Sequence, residues 1–201
     1  MLRKIYVGLL FLALSGLAGA VGADELSARQ VVEQFQNQLI DVMKRGKELG
    51  FKGRYDALEA AVKNSHDLPK IARIVVGKEW EGFTPEQQAR FEEEFSRLSI
   101  SAYAHNFKEY TGESFNFVSE EETGRGGVVI HSTLSIPGEK DVRFGYMMKK
   151  KDEGWRIINI IADGVSDLAL KRSEYTSVLS RHGFDGLIAK ITERIESYEK
   201  Q

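Results

Sequence analysis

The hydrophobic period of this chain changes at Gly112, and that change restricts the fold more than any other feature. Upstream, apolar residues recur at helical spacing: Val31, Val32, Phe35, Leu39, Val42 and Met43, then Tyr55, Leu58, Ala61 and Val62, then Ile71, Ile74 and Val75. A wide stripe follows, with Phe91, Phe95, Leu98, Ala102, Tyr103, Phe107 and Tyr110. Downstream the apolar residues alternate, as strands require. Phe115 and Phe117 share one parity, as do Val128, Ile130, Leu134 and Ile136, and then Val142, Phe144, Tyr146 and Met148. The stretch Trp155–Ala162 is apolar at both parities, which predicts a strand wet on neither side, held between two apolar layers. Helical spacing returns with Leu168, Tyr175, Val178 and Leu179, and again with Ile188, Ile191, Ile195 and Tyr198. Helices, one block of strands, then helices predict an α+β domain: an antiparallel twisted meander covered by helices.

Local signals set the boundaries. Ser27 with Gln30, and Thr84-Pro85 with Gln87, read as capping boxes that open helices. The second should run to about Tyr110. Asp67 can cap a short helix with Pro69 in its first turn and Gly77 at its end. Gly46 or Gly50 should close the first helix, and Gly183 should separate the last two, with Asp185 capping the second of them. Gly124, Gly126 and Gly127 form a hairpin loop around Arg125, and Pro137-Gly138 forms a type II turn.

The N-terminus predicts export. Arg3 and Lys4 precede an apolar run from Ile5 to Leu14, interrupted only by Gly8, and small residues lead to Ala23 and then Asp24-Glu25. This is the layout of a cleaved signal peptide, residues 1–23. The run falls short of the about 20 residues of a membrane span. With no Cys in the chain, a lipid-anchored terminus is excluded, along with disulfides, thiolate zinc sites and thiol chemistry. The remaining 24–201 reads as one soluble domain: a helical part 24–112, a sheet 113–162 and C-terminal helices 163–201. Loss of Arg3 and Lys4 leaves a net charge of about −4, which argues against nucleic acid as a partner.

Catalytic patterns are absent. His66, His105, His131 and His182 show no metal-ligand spacing, and neither a nucleophile elbow nor a phosphate-binding loop occurs, so no metal and no cofactor is expected. His66 and His182 at helix ends fit a favourable dipole contact. His131 with Asp141 is the best acid–base pair on offer. Glu92-Glu93-Glu94 and Glu120-Glu121-Glu122 read as solvated faces, and Lys149-Lys150-Lys151 as a soluble hairpin tip. What stands out is an excess of large apolar side chains, which fits either a large core or an apolar cavity between sheet and helices.

Trp155 and the strand after it, followed by Asp163-Gly164-Val165-Ser166, resemble the end of the sheet in the MlaC family, also called toluene-tolerance auxiliary proteins. Gly183-Phe184-Asp185-Gly186-Leu187 is similar to a C-terminal motif of that family. Asp67-Leu68-Pro69, Gly77, Trp80, Gln88, Phe91 and Phe95 resemble its upstream run. The stretch from Ala102 to Phe107, with Tyr110 to Phe115, looks closer to the hopanoid-associated HpnM branch. The resemblance covers nearly the whole mature chain. It implies a cystatin-like sheet with added helices and a periplasmic shuttle carrying phospholipid or hopanoid. It also implies an inner-membrane transporter, of RND or ABC/MCE type, and an outer-membrane acceptor as partners, with transient contact at membrane surfaces.

Three readings follow. A lipid shuttle would build its walls from Val75, Phe91, Phe95, Leu98 and Tyr103 on the helices, and from Phe144, Tyr146, Met148, Ile158 and Ile160 on the sheet. An isomerase or dehydratase on a cone-shaped α+β fold would need His131 to face a closed pocket. A non-binding envelope adaptor would have a filled core.

Overall fold

The computed structural model describes residues 25–200, so the proposed leader lies outside the described residues. Helix α1 (Ala28–Lys44) opens at the expected capping box: the Gln30 N–H donates to Ser27 Oγ at 3.2 Å, and the Ser27 N–H donates to the Gln30 carboxamide at 2.8 Å. Helix α2 (Gly46–Ser65) follows directly and breaks at Gly50. Asp67 caps α3 (Leu68–Val76), and a short 3-10 turn (Gly77–Gly82) leads into α4 (Pro85–Asn106), opened by the Thr84/Gln87 box. Helix α4 ends at Asn106, short of the expected Tyr110, because Phe107 leaves helical geometry at φ −106° and ψ 56°. Tyr110 is exposed, with the Lys44 ammonium 5.4 Å from its ring. Arg54 ties the helices together: its Nε donates to the Ala104 carbonyl at 2.7 Å and its Nη1 to the Gly46 carbonyl at 2.9 Å.

The sheet is an antiparallel meander of β1 (Ser114–Thr123), β2 (Gly127–Ser135), β3 (Val142–Lys151), β4 (Gly154–Ala162) and the two-residue β5 (Val165–Ser166), in chain order. The expected turn at Pro137-Gly138 is present, closed by the Glu139 N–H on the Ile136 carbonyl at 3.0 Å. Directly paired residues share a face. The pairs Val128–Met148, Ile130–Tyr146 and Tyr146–Ile160 therefore mark the inward face, and Val128, Ile130, Tyr146 and Met148 on it are buried.

The doubly apolar strand has a different cause from the expected one. Met147 pairs with Asn159 but Met148 pairs with Ile157, which leaves Ile158 as an extra residue in β4. Such a bulge inverts the alternation, so Ile157 and Ile160 face inward together. Ile161 pairs with Gly145 on the outer face, where Val129, Met147 and Ile161 are only half-buried. The pattern thus records a bulge, not a strand between two apolar layers.

Helix α5 (Asp167–Glu199) is set against β4 by Asn159, whose carboxamide oxygen accepts from the Leu168 N–H and the Ser166 hydroxyl, each at 3.2 Å. Ser166 caps the helix. The two expected C-terminal helices are present as the two parts of α5, divided at Gly183, which leaves helical geometry. Gly183 (φ 65°, ψ −168°) and Gly50 (φ 60°, ψ −177°) occupy a backbone region open essentially to glycine alone. A continuous hydrophobic core joins α1 to α5 with the inward face of β2, β3 and β4.

Candidate functional site

A cavity of about 430 Å³ lies between the inward face of the sheet and the helices. Its floor is Phe144, Tyr146, Ile157, Ile158, Ile160 and Ala162; its walls include Phe35 and Leu39 from α1, Leu68 and Ile71 from α3, Phe95 and Tyr103 from α4, and Leu168 and Tyr198 from α5. Alternation along β3 delivers Phe144 and Tyr146. The β4 bulge brings Ile157 to the same face as Ile160, and Ile158, at the bulge between them, lines the cavity as well. The size falls in the range of roughly 300–1,000 Å³ typical of sites for organic ligands.

Few polar groups reach this space. His66, which follows α2, is buried and lies edge-on to Phe35 at 5.0 Å. Its partners fix its tautomer. The Ser65 hydroxyl donates to the Ala61 carbonyl at 2.6 Å, so it accepts from His66 Nδ1 at 2.8 Å; Nε2 then accepts from the Tyr103 hydroxyl at 3.0 Å. Burial holds the imidazole well below its ordinary value, at about 4. The ring is therefore neutral near pH 7. This corrects the expectation of a helix-end His favoured by the dipole: the site is dry, and desolvation outweighs the dipole. Beside the floor, Gln36 Nε2 donates to Ser132 Oγ at 2.9 Å and to the Tyr146 hydroxyl at 3.2 Å. Burial pushes the Tyr146 phenol up to about 12, against the opposing effect of Gln36 and Ser132 beside it. The rim carries Asn106 and an Asp167–Lys171 ion pair, so its charges cancel.

Of the side chains expected as walls, Phe95, Tyr103, Phe144, Tyr146, Ile158 and Ile160 line the cavity. Val75, Phe91, Leu98 and Met148 do not, although all four are buried. Phe91 packs in an aromatic cluster, 6.0 Å from Phe95 and 6.2 Å from Tyr175 between ring centres. A helix stripe wider than the cavity leaves part of its width to solid core. The contributions of α1 and α3 and of His66 were not assigned to a wall from sequence. The Phe35/Leu39 stripe was visible, but which stripe meets a void depends on packing.

The candidate acid–base pair does not form. His131 sits on the outer sheet face, its side chain 40% exposed, with Glu121 and not Asp141 as its carboxylate neighbour at 3.5 Å. No cluster of three or more metal-ligating side chains exists among the described residues. The lysine run is more engaged than a soluble tip requires: Lys150 pairs with Glu25 at 2.8 Å, Lys151 with the buried Asp67 at 3.2 Å, and Lys149 bonds to the Arg125 carbonyl. No helix of the described residues is long and apolar enough to cross a membrane.

The chain is 25% identical over 162 residues to the toluene tolerance protein Ttg2D of Pseudomonas putida, covering 77% of this chain and 74% of that protein. It is 21% identical over 201 residues to the intermembrane phospholipid transport system binding protein MlaC of Haemophilus influenzae, covering 96% of this chain and 93% of that one. The fold matches a phospholipid-binding protein from Ralstonia solanacearum, solved in complex with a phospholipid, with a TM-score of 0.76 at 21% identity over 86% of this chain and 99% of that one. The family model described as MlaC protein matches residues 33–193, most of the sequence, and the chain belongs to the MlaC family.

Proposed function

We propose that this protein is a periplasmic lipid carrier that shelters the acyl part of a phospholipid while it passes between inner- and outer-membrane transport machinery. The observation that carries this reading is the 430 Å³ apolar cavity under a charge-balanced rim, on a fold shared with a phospholipid-binding protein. Family membership supports it, as does the name of the Haemophilus relative. Free passage of a lipid through water is prohibitive, since each exposed methylene costs about 0.8 kcal/mol. The cavity replaces that water with aromatic and aliphatic walls, and among its polar side chains His66 is bonded to Tyr103 and Asp167 to Lys171. Binding then rests on burial, and release needs no strong headgroup contact to be broken.

A filled interior, as a non-binding adaptor would have, is not what the packing supports. An enzyme reading loses its best pair with His131 on the outer face.

Native mass spectrometry on protein made in its native host should show a copurified lipid, and the extract identifies it as phospholipid or hopanoid. Phe144→Asp places a charge on the cavity floor beside Tyr146 and should abolish lipid capture from vesicles. Protein that carries no lipid and takes none from vesicles would refute the proposal.

A further inference from the structure

An open cleft of about 670 Å³ lies between α1, α2 and the β3–β4 hairpin. Phe35 is the side chain that it shares with the lining of the lipid cavity. Helical spacing builds its two helix walls. Gln34 and Gln38 stand one turn apart on α1, and Ala57, Ala61 and Asn64 share a face of α2. The Gln38 carboxamide donates to the Ala57 carbonyl at 3.4 Å and ties the two helices together. The hairpin contributes the half-buried indole of Trp155, which follows Gly154 at the start of β4.

The chemistry of this lining selects among ligands. Its carboxylates are balanced: Glu153 pairs with Arg156 at 3.6 Å, and Glu25 with Lys150 at 2.8 Å. That pairing favours a neutral ligand over an ion. A hydrocarbon would strip water from the exposed Gln34 and Asn64 carboxamides and return no hydrogen bond. A neutral sugar does return them, because its hydroxyls both donate and accept, as a carboxamide does. Its ring also carries a face of C–H groups that can lie on an indole, while the short side chains of Ala57 and Ala61 take up little of the cleft. We propose that this cleft binds a neutral saccharide, with Trp155 as the stacking platform and Gln34, Gln38 and Asn64 as partners for the hydroxyls. The site goes beyond the lipid-carrier reading and does not depend on it. Bound there to a sugar polymer, the protein would be held at a glycan with its lipid cavity free.

Trp155 gives the cleft its own reporter. The sequence has two tryptophans, Trp80 and Trp155, and Trp80 lines neither the cleft nor the lipid cavity. Trp80→Phe therefore leaves Trp155 as the sole indole. Its emission is followed as triacetylchitotriose, maltotriose or trialanine is added to lipid-free and to phospholipid-loaded protein. Saturation-transfer NMR on the wild type reads the contact from the sugar side.

A saturable change of Trp155 emission with a trisaccharide, the same in lipid-free and loaded protein, is the expected result. Gln34→Ala and Asn64→Ala alter exposed side chains outside the lipid cavity. Each should weaken sugar binding about fivefold, the equivalent of one hydrogen bond, with melting temperature and phospholipid uptake as in the wild type. Trp155→Leu should abolish the saturation transfer. No saturable response to either sugar, or a response that survives both carboxamide variants, overturns the proposal. A response lost on phospholipid loading places the sugar in the lipid cavity and overturns the separate site. Trialanine bound as tightly as the sugars overturns the saccharide assignment.

Discussion

His66 should make the stability of this protein depend on pH in a window where few other groups titrate. The ring is neutral in the fold, held to about 4 by burial, against an ordinary value of 6.5. Below pH 6.5 the unfolded chain takes up a proton that the folded chain refuses until about pH 4. The unfolded state then binds more protons, and stability falls as pH falls through this window. Linkage for a single site gives a loss of roughly 2 kcal/mol between pH 7 and pH 5. Most carboxylates stay ionised over that range. Asp167 and Lys171 bear on the ring in opposite senses. The assay is urea unfolding at pH 7, 6 and 5 of the wild type and of His66→Gln, which cannot titrate but can still receive the Tyr103 hydroxyl. The wild type should lose stability relative to the variant as pH is lowered. Parallel profiles for the two proteins would refute the assignment of a dry, neutral imidazole.

Three further outcomes follow from the packing. Tyr146→Phe removes the phenol that accepts from Gln36, leaving Ser132 as the remaining partner, and should cost about 1 kcal/mol in chemical denaturation. Gly46→Ala should destabilise despite alanine's higher helix propensity, because the added Cβ would stand 1.9 Å from the Lys108 carbonyl oxygen. The gain of about 1 kcal/mol from propensity does not offset a backbone displacement, so a raised melting temperature would contradict the close approach. Leu98→Ala should cost about 3 kcal/mol of stability as a core truncation. Lipid uptake, measured by native mass spectrometry, should be retained, since Leu98 is buried outside the lining of the cavity.

The helices and the meander were legible because their signals are local. Ser27/Gln30 and Thr84/Gln87 are self-contained capping boxes, and Pro137-Gly138 closes its own turn. The α4 stripe showed Phe95 and Tyr103 as inward residues, but nothing in its periodicity separates them from Phe91 and Leu98. That division depends on where α5 and the sheet leave space. His66 misled for a related reason. A histidine at a helix end looks exposed in sequence, and its burial comes from Phe35 and Tyr103, far away along the chain. The apolar run in β4 was visible as an anomaly, but its meaning required the pairing with β3.

Ile158 holds a position without a counterpart on β3, yet its side chain meets the cavity between sheet and helices. A substitution there alters the depth of that space without sliding any neighbouring strand. The volume enclosed between sheet and helices can therefore be tuned at a single residue, leaving the rest of the scaffold as it stands.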